Sequence, residues 1–178
     1  MEKFIRMNHK FSMIRIIVLA IGLNFLEKIS PDIIYLVYAY PAAFLASLFL
    51  GSHPILTETN RILIPLTSHS INVIPACSAY SFFCLLYAMV VSHLFHRFRK
   101  QKAVLFSILV VPIVYGITIV TNGCRIICAY YVNEIGRHLL PSNFQAALHQ
   151  GVGIILFLSV IMGMYLLLER IFHYEFKQ

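Results

Sequence analysis

Five long apolar runs, separated by short polar segments, dominate the hydrophobic pattern of the chain. They cover residues 14–26, 33–50, 77–94, 103–121 and 146–168. A helix that crosses a bilayer needs about 20 mostly apolar residues, so the later four runs are close to that length and the first is short. The pattern predicts an all-α fold, a polytopic transmembrane helix bundle with about five membrane segments.

The segment between the second and third runs has a different pattern. Residues 51–76 mix apolar and polar positions, and the pieces "RILIPL" and "INVIP" are each typical of a short strand. We therefore expect a short outer-face loop or a small β-like hairpin around residues 54–75.

Composition supports a membrane protein. Of the 178 residues, 60% are hydrophobic and 12% are charged, whereas a soluble domain carries about 25% charged residues. We predict one integral-membrane domain, residues 1–178, with the lipid bilayer as a partner. The net charge of +7 is typical of basic loops on the cytoplasmic side. Nucleic acid is not an expected partner, because the chain has no Lys/Arg-rich recognition helix.

The charged loops predict the orientation. The loop 96–102 contains four Lys or Arg residues and no acid, which places it in the cytoplasm. Cys77 and the segments 51–76 and 122–141 then lie on the outer side. The cations Lys3, Arg6 and Lys10 conflict with an outer N-terminus, so the side of the N-terminus and the full crossing of residues 14–26 stay open.

Cys77 stands at the mouth of the third run. Pro75 suits the first turn of a helix, and this predicts that Cys77 lies within that turn. Free N–H groups and the helix dipole there favour the thiolate, which is the nucleophilic form. The alternative is a small packing residue, and Cys84, further along the same run, is expected to be one.

Arg125 follows the fourth run in "TNGCRIICAYY". The pair Asn122-Gly123 predicts a turn, or the cap of a second helix. A guanidinium between apolar stretches can hold an oxyanion or a substrate carboxylate. An arginine that reaches toward lipid headgroups is an equally good interpretation.

His149 lies near the start of the last run. Ser142 and Gln145 form a capping box, which predicts a helix from about Asn143 with His149 two turns inside it. A neutral imidazole at this position can accept a proton from a thiol. The alternative is an interfacial histidine bonded to a carbonyl. Gly151 and Gly153 predict a close approach of another helix.

The other cysteines allow further hypotheses. Cys124 and Cys128 are four residues apart rather than in a C-x-x-C motif, so a thiol oxidoreductase is poorly supported. A disulfide between Cys77 and Cys124 would remove the proposed nucleophile, and the role of Cys124 stays open. No spacing matches a metal motif, and the chemistry proposed for Cys77 needs no cofactor.

Three blocks together resemble the exosortase/archaeosortase family. They are "ACSAYS" (76–81), "NGCRI" (122–126) and "HQGVGIILF" (149–157), similar to that family's A-C-S-G, N-x-x-R-[I/V] and H-x-x-x-G patterns. The resemblance covers about residues 42–157, and the short chain is similar to the form called exosortase K. Ala79 departs from the pattern, because the family usually has glycine there.

The resemblance implies a membrane cysteine transpeptidase or protease at the outer face of the plasma membrane. Cys77 would be the nucleophile, His149 the base and Arg125 the oxyanion stabiliser. The implied partner is an exported protein with a C-terminal sorting signal, composed of a short motif, a transmembrane helix and a basic end. The sequence leaves a second hypothesis open, a non-enzymatic membrane assembly or transport subunit.

Overall fold

The structure is a computed structural model that describes residues 16–25, 27–57, 61–66, 70–74, 78–139 and 142–174. Within the helices, the side chains of residues 100, 137–149 and 172–174 lie outside this description. Cys77 and the cations Lys3, Arg6 and Lys10 also fall outside the described residues.

Each of the five apolar runs forms a helix, which confirms the predicted all-α bundle. The first, α1, covers residues 16–25. The others are α2 (Pro31–Phe49), α3 (Tyr80–Arg97), α4 (Lys100–Leu139) and α5 (Ser142–Tyr174). The helix predicted from about Asn143 therefore begins one residue earlier, at Ser142.

Three of the described helices are long and apolar enough to cross a membrane. These stretches are Pro31–Phe49, Gln101–Gly136 and Gln150–Ile171. In α4 and α5, large apolar side chains such as Ile108, Ile113 and Ile155 are mostly exposed, as expected for surfaces that face lipid. In α3, by contrast, most of the apolar side chains are buried.

Helix α4 is continuous through Asn122 and Gly123, so the turn or second helix cap predicted at this pair is wrong. The reason is packing. A Cβ built at Gly123 would lie 3.0 Å from Cδ2 of Leu45 and 3.3 Å from the carbonyl oxygen of Ala42, both in α2. This glycine therefore permits a close approach of two helices, and the helical hydrogen bonds continue past it.

The length of α4 has a consequence in a membrane. Its 40 residues span about 60 Å at 1.5 Å per residue. The hydrocarbon layer is only about 30 Å thick. A helix of this many residues has about twice the length needed to cross the apolar layer.

The segment between α2 and α3 forms a small sheet, which confirms the predicted hairpin. Strands β1 (Ile55–Leu56), β2 (Ile62–Pro65) and β3 (Ser70–Val73) pair in the order β1-β2-β3. Both pairings are antiparallel, with Ile55 opposite Leu63 and Ile62 opposite Val73. The side chains of Ile62 and Ile64 are fully buried, so one side of β2 forms the apolar core of the sheet.

The chain divides into two compact units. The first comprises residues 1–30, 80–116 and 161–178, and the second comprises residues 31–79 and 117–160. In the first unit, the Tyr80 hydroxyl donates a hydrogen bond of 2.8 Å to the Leu23 carbonyl. Ser81 donates to the Asn24 side chain, also at 2.8 Å. These bonds fix the start of α3 against α1.

Candidate functional site

Cys77 precedes α3 by three residues, because α3 begins at Tyr80. The prediction that Cys77 lies within the first turn of this helix is therefore wrong. Ser78 and Ala79 separate the two and are not helical. Ala79 has a φ of 58°, in the left-handed region that a right-handed helix cannot include.

The chain before Cys77 is held by α2. The hydroxyl of Tyr35 accepts a hydrogen bond of 3.2 Å from the backbone N–H of Ile62. The same hydroxyl donates to the carbonyl of Val73. Tyr35 is buried, so it ties the end of β3, four residues before Cys77, to α2 and β2.

Arg125 is placed by a close contact between α4 and α5. A Cβ built at Gly153 would lie 2.5 Å from Nε of Arg125 and 3.2 Å from its Cδ and Cζ. Real Cβ atoms do not approach other atoms so closely, so any side chain at residue 153 would require Arg125 to shift from this position. The prediction of a close approach holds for Gly153, whereas a Cβ at Gly151 would have no neighbour within 4 Å.

Phe157 forms the second part of the arginine's surroundings. The Cζ atom of Arg125 lies 5.4 Å from the centroid of the Phe157 ring, within the range of a cation–π interaction. The Nε atom of Arg125 is buried and has no hydrogen-bond partner among the described residues. The guanidinium is thus positioned by α5, with its Nε donor buried against that helix.

The backbone of α5 relates this arginine to His149. Positions 149, 153 and 157 are four residues apart on α5, so they share one helix face. His149 is helical and precedes Gly153 by about one turn. Its position therefore lies on the face of α5 that carries Gly153 and Phe157.

Asn122 was predicted as a turn residue or a helix cap, yet it is fully buried in α4. It precedes Arg125 by three residues and so lies on the same side of the helix. Phe157 was not predicted either. Its four-residue spacing from Gly153 was the available signal, but that spacing is common in apolar helices that only pack.

The three predicted site positions Cys77, Arg125 and His149 all fall within the residue ranges of the second unit. Only Arg125 has a described side chain, so their meeting in one site stays a prediction. Among the remaining cysteines, Cys84 is free and buried, as expected for a packing residue. Cys124 and Cys128 are free and exposed on α4.

Comparison with protein families gives one match, which covers most of the chain. The family model described as transmembrane exosortase (Exosortase_EpsH) matches residues 11–166. Neither the curated proteins nor the solved structures give a match. The match includes the sheet, α2 to α4 and most of α5, together with all three predicted site positions. The chain belongs to the transmembrane exosortase family.

Proposed function

We propose that the protein is a membrane-embedded cysteine transpeptidase or protease that processes C-terminal sorting signals of exported proteins. The family supports a membrane-embedded sorting enzyme that acts on exported substrates. We place the reaction at the outer face of the plasma membrane, because the basic segment 96–102, where α3 ends and α4 begins, is expected on the cytoplasmic side. The short chain fits the form called exosortase K.

In this proposal Cys77 is the nucleophile, His149 the base and Arg125 the oxyanion or substrate stabiliser. His149 accepts the thiol proton, and the sulfur of Cys77 attacks the scissile carbonyl carbon. The electron pair of the C=O bond moves to oxygen, and Arg125 stabilises the resulting negative charge. The C–N bond then breaks as His149 returns the proton to the leaving amine.

The second half of the reaction releases the acyl group. A thioester on Cys77 remains after the amine leaves. Water, an acceptor amine or a glycolipid attacks the thioester carbonyl and forms a new bond to its carbon. The C–S bond breaks, and the proton lost by the nucleophile passes to the sulfur and regenerates the Cys77 thiol. Hydrolysis gives a protease, and transfer to an amine gives a transpeptidase.

The arrangement of Arg125 carries this proposal. An arginine within an apolar helix is costly unless it has a function or a partner. Here a glycine and an aromatic ring of α5 hold it, and its Nε has no partner among the described residues. His149 is on the same face of α5, one turn before Gly153. We interpret this arrangement as an oxyanion site beside a base.

The test is a Cys77→Ala variant, assayed with a substrate that carries a motif, a transmembrane helix and a basic end. We expect the rate of processing to fall by about 10³-fold or more, which is typical when the nucleophile is removed from a set of catalytic residues that act together. Cys124→Ala and Cys128→Ala, which remove exposed free thiols of α4, serve as matched controls. We expect them to retain normal processing.

Normal maturation of the substrate with Cys77→Ala would overturn the enzymatic assignment. It would favour the second hypothesis, a non-enzymatic assembly or transport subunit. Loss of processing in Cys124→Ala, with Cys77→Ala active, would transfer the nucleophile to Cys124.

A further inference from the structure

The sheet has two open edges within the described residues, because its strand order is β1-β2-β3. The direction of the peptide groups follows from four hydrogen bonds. Thr57 N–H donates to the Arg61 carbonyl at 2.8 Å, and the Pro65 carbonyl accepts from the Ser52 hydroxyl. Ile62 N–H donates to Tyr35, which in turn donates to Val73 on β3.

These bonds show which way each peptide group of β2 points, because the direction alternates from one residue to the next. Odd-numbered residues direct their peptide groups toward β1, as the carbonyl groups of Arg61 and Pro65 show. Even-numbered residues, such as Ile62, direct theirs toward β3. Antiparallel partners alternate between hydrogen-bonded and non-hydrogen-bonded pairs. Ile62 opposite Val73 is thus at a hydrogen-bonded position, and so is Ile64 opposite Ile71.

The free edge of β3 follows from the same alternation. Ile71 and Val73 direct their peptide groups toward β2, so Ser70 and Asn72 direct theirs away from the sheet. Ser70 and Asn72 are both exposed, and so is Ile74, which follows the strand. Within the described part of the chain, the N–H and C=O groups of these two residues therefore pair with no strand, and such an edge is the surface that an additional strand binds.

The position of β3 in the chain distinguishes it from the other edge. Strand β3 ends at Val73, four residues before Cys77. Four residues of extended chain span at most about 14 Å, which limits the distance between the strand end and Cys77. Tyr35 fixes the strand at this end. The edge of β1 has only two residues in its strand and is more than twenty residues before Cys77. A peptide bound to β3 thus lies near the proposed nucleophile. The sequence sets no such short distance between Cys77 and a peptide bound to β1.

We propose that the outer edge of β3 binds the extended segment of the exported protein as an additional β-strand. Main-chain hydrogen bonds to Ser70 and Asn72 hold this segment beside Cys77. The peptide carbonyls of an extended segment are open to attack, whereas those of a helix accept hydrogen bonds from within the helix. This assignment rests on the proposed function, because it concerns the substrate of the same site.

The test uses proline to remove one outward donor. Asn72→Pro deletes an N–H that does not pair with β2, so the sheet keeps its internal hydrogen bonds. Asn72→Ala removes the side chain and keeps the N–H. With the full-length protein in detergent or liposomes and a tailed substrate, we expect Asn72→Pro to lower kcat/KM by about tenfold or more, which corresponds to one lost hydrogen bond plus the bulk of the ring. Asn72→Ala, which keeps the N–H, should lower kcat/KM less than Asn72→Pro does.

Alkylation of Cys77 by iodoacetamide separates binding from folding. We expect Cys77 of the Asn72→Pro variant to react at the wild-type rate, because the substitution weakens only the binding of the substrate peptide. Equal processing by Asn72→Pro and wild type, with Cys77→Ala inactive, would overturn strand docking and leave the proposed function intact. Full processing by Cys77→Ala would instead overturn the proposed function.

Photo-crosslinking gives a second test that does not depend on proline. A benzoylphenylalanine at Ile74 should crosslink to the substrate. The same probe at Ile55 should not, although Ile55 and Ile74 are similarly exposed, at 54% and 47%. Crosslinks from Ile74 only to a second copy of this chain, or equal substrate crosslinks from both positions, would contradict the proposal.

Discussion

The absence of a side chain at Gly153 determines where Arg125 lies. A methyl group there would overlap Nε of the arginine, 2.5 Å away, and would force the side chain off α5. We therefore expect Gly153→Ala to lower kcat by about 10²-fold, the usual cost of removing one donor from an oxyanion site. The rate of substrate processing by the purified protein measures this.

Gly151→Ala is the matched control. It lies on the same helix, and its new methyl group would meet nothing within 4 Å. Both variants gain the same helix propensity, at most about 1 kcal/mol, so the difference between them isolates the contact with Arg125. Equal activity of the two variants would show that the position of Arg125 is irrelevant to the reaction.

Ala79 has a left-handed backbone, with φ of 58°, just after the proposed nucleophile. A residue with a Cβ pays about 1–2 kcal/mol for this conformation, whereas glycine adopts it freely. We expect Ala79→Gly to raise the free energy of unfolding by about 0.5–1 kcal/mol after the entropy cost of glycine. Thermal or denaturant unfolding in micelles measures the change.

The same substitution in a helix should have the opposite sign. Ala103→Gly, in α4, should lower the free energy of unfolding by about 1 kcal/mol. Destabilisation by Ala79→Gly as large as that of Ala103→Gly would mean that residue 79 does not adopt the left-handed conformation.

At the residue scale, the sequence indicated Arg125 and Gly153 but not how they meet. Arginine and glycine stand out in apolar runs because each is costly or unusual there. Phe157 does not stand out, since an aromatic residue is ordinary in such a run. The left-handed backbone of Ala79 had no signal in its own residue type. Only the glycine usual at this position of the family pattern indicated it.

At the element scale, α4 illustrates a local signal that tertiary packing overrides. Asn-Gly is a strong turn signal in isolation, yet α4 runs through Asn122 and Gly123 without a break. The contact of Gly123 with α2 explains the glycine. The sheet, by contrast, was predictable, because β-branched residues at alternating positions between polar segments are typical of short strands.

The contact between α2 and α4 gives a stability prediction. Gly123→Ala would place a methyl group 3.0 Å from Cδ2 of Leu45 and 3.3 Å from a backbone oxygen. Such overpacking costs about 1–3 kcal/mol, so we expect a lower unfolding midpoint in micelles.

Gly116→Ala, in the same helix, is the control. Its methyl group would meet nothing within 4 Å, and better helix propensity should make it neutral or stabilising by up to about 1 kcal/mol. If Gly123→Ala proved as stable as Gly116→Ala, the close approach of α2 and α4 at Gly123 would be wrong.

At the scale of the whole molecule, the apolar runs were sufficient to predict a helix bundle because a bilayer permits few other folds. The orientation of the bundle rests on charge alone. We predict that the sheet is outside the cell and that the segment 96–102, where α3 ends and α4 begins, is inside.

Single-cysteine labelling checks this orientation. After replacement of the four native cysteines, His53→Cys and Arg99→Cys place thiols at two exposed positions. A membrane-impermeant maleimide applied to intact cells should label residue 53 and should label residue 99 only after permeabilisation. The reverse pattern would invert the molecule and place the sheet in the cytoplasm.

Trapping of the acyl-enzyme tests the central claim most directly. The reconstituted protein is mixed with a tailed substrate, quenched with acid and measured by intact mass spectrometry and peptide mapping. The account predicts a hydroxylamine-labile adduct of the substrate's acyl portion on Cys77, absent from Cys77→Ala. Product formation at the wild-type rate by Cys77→Ala, or an adduct that maps to Cys124, would contradict it.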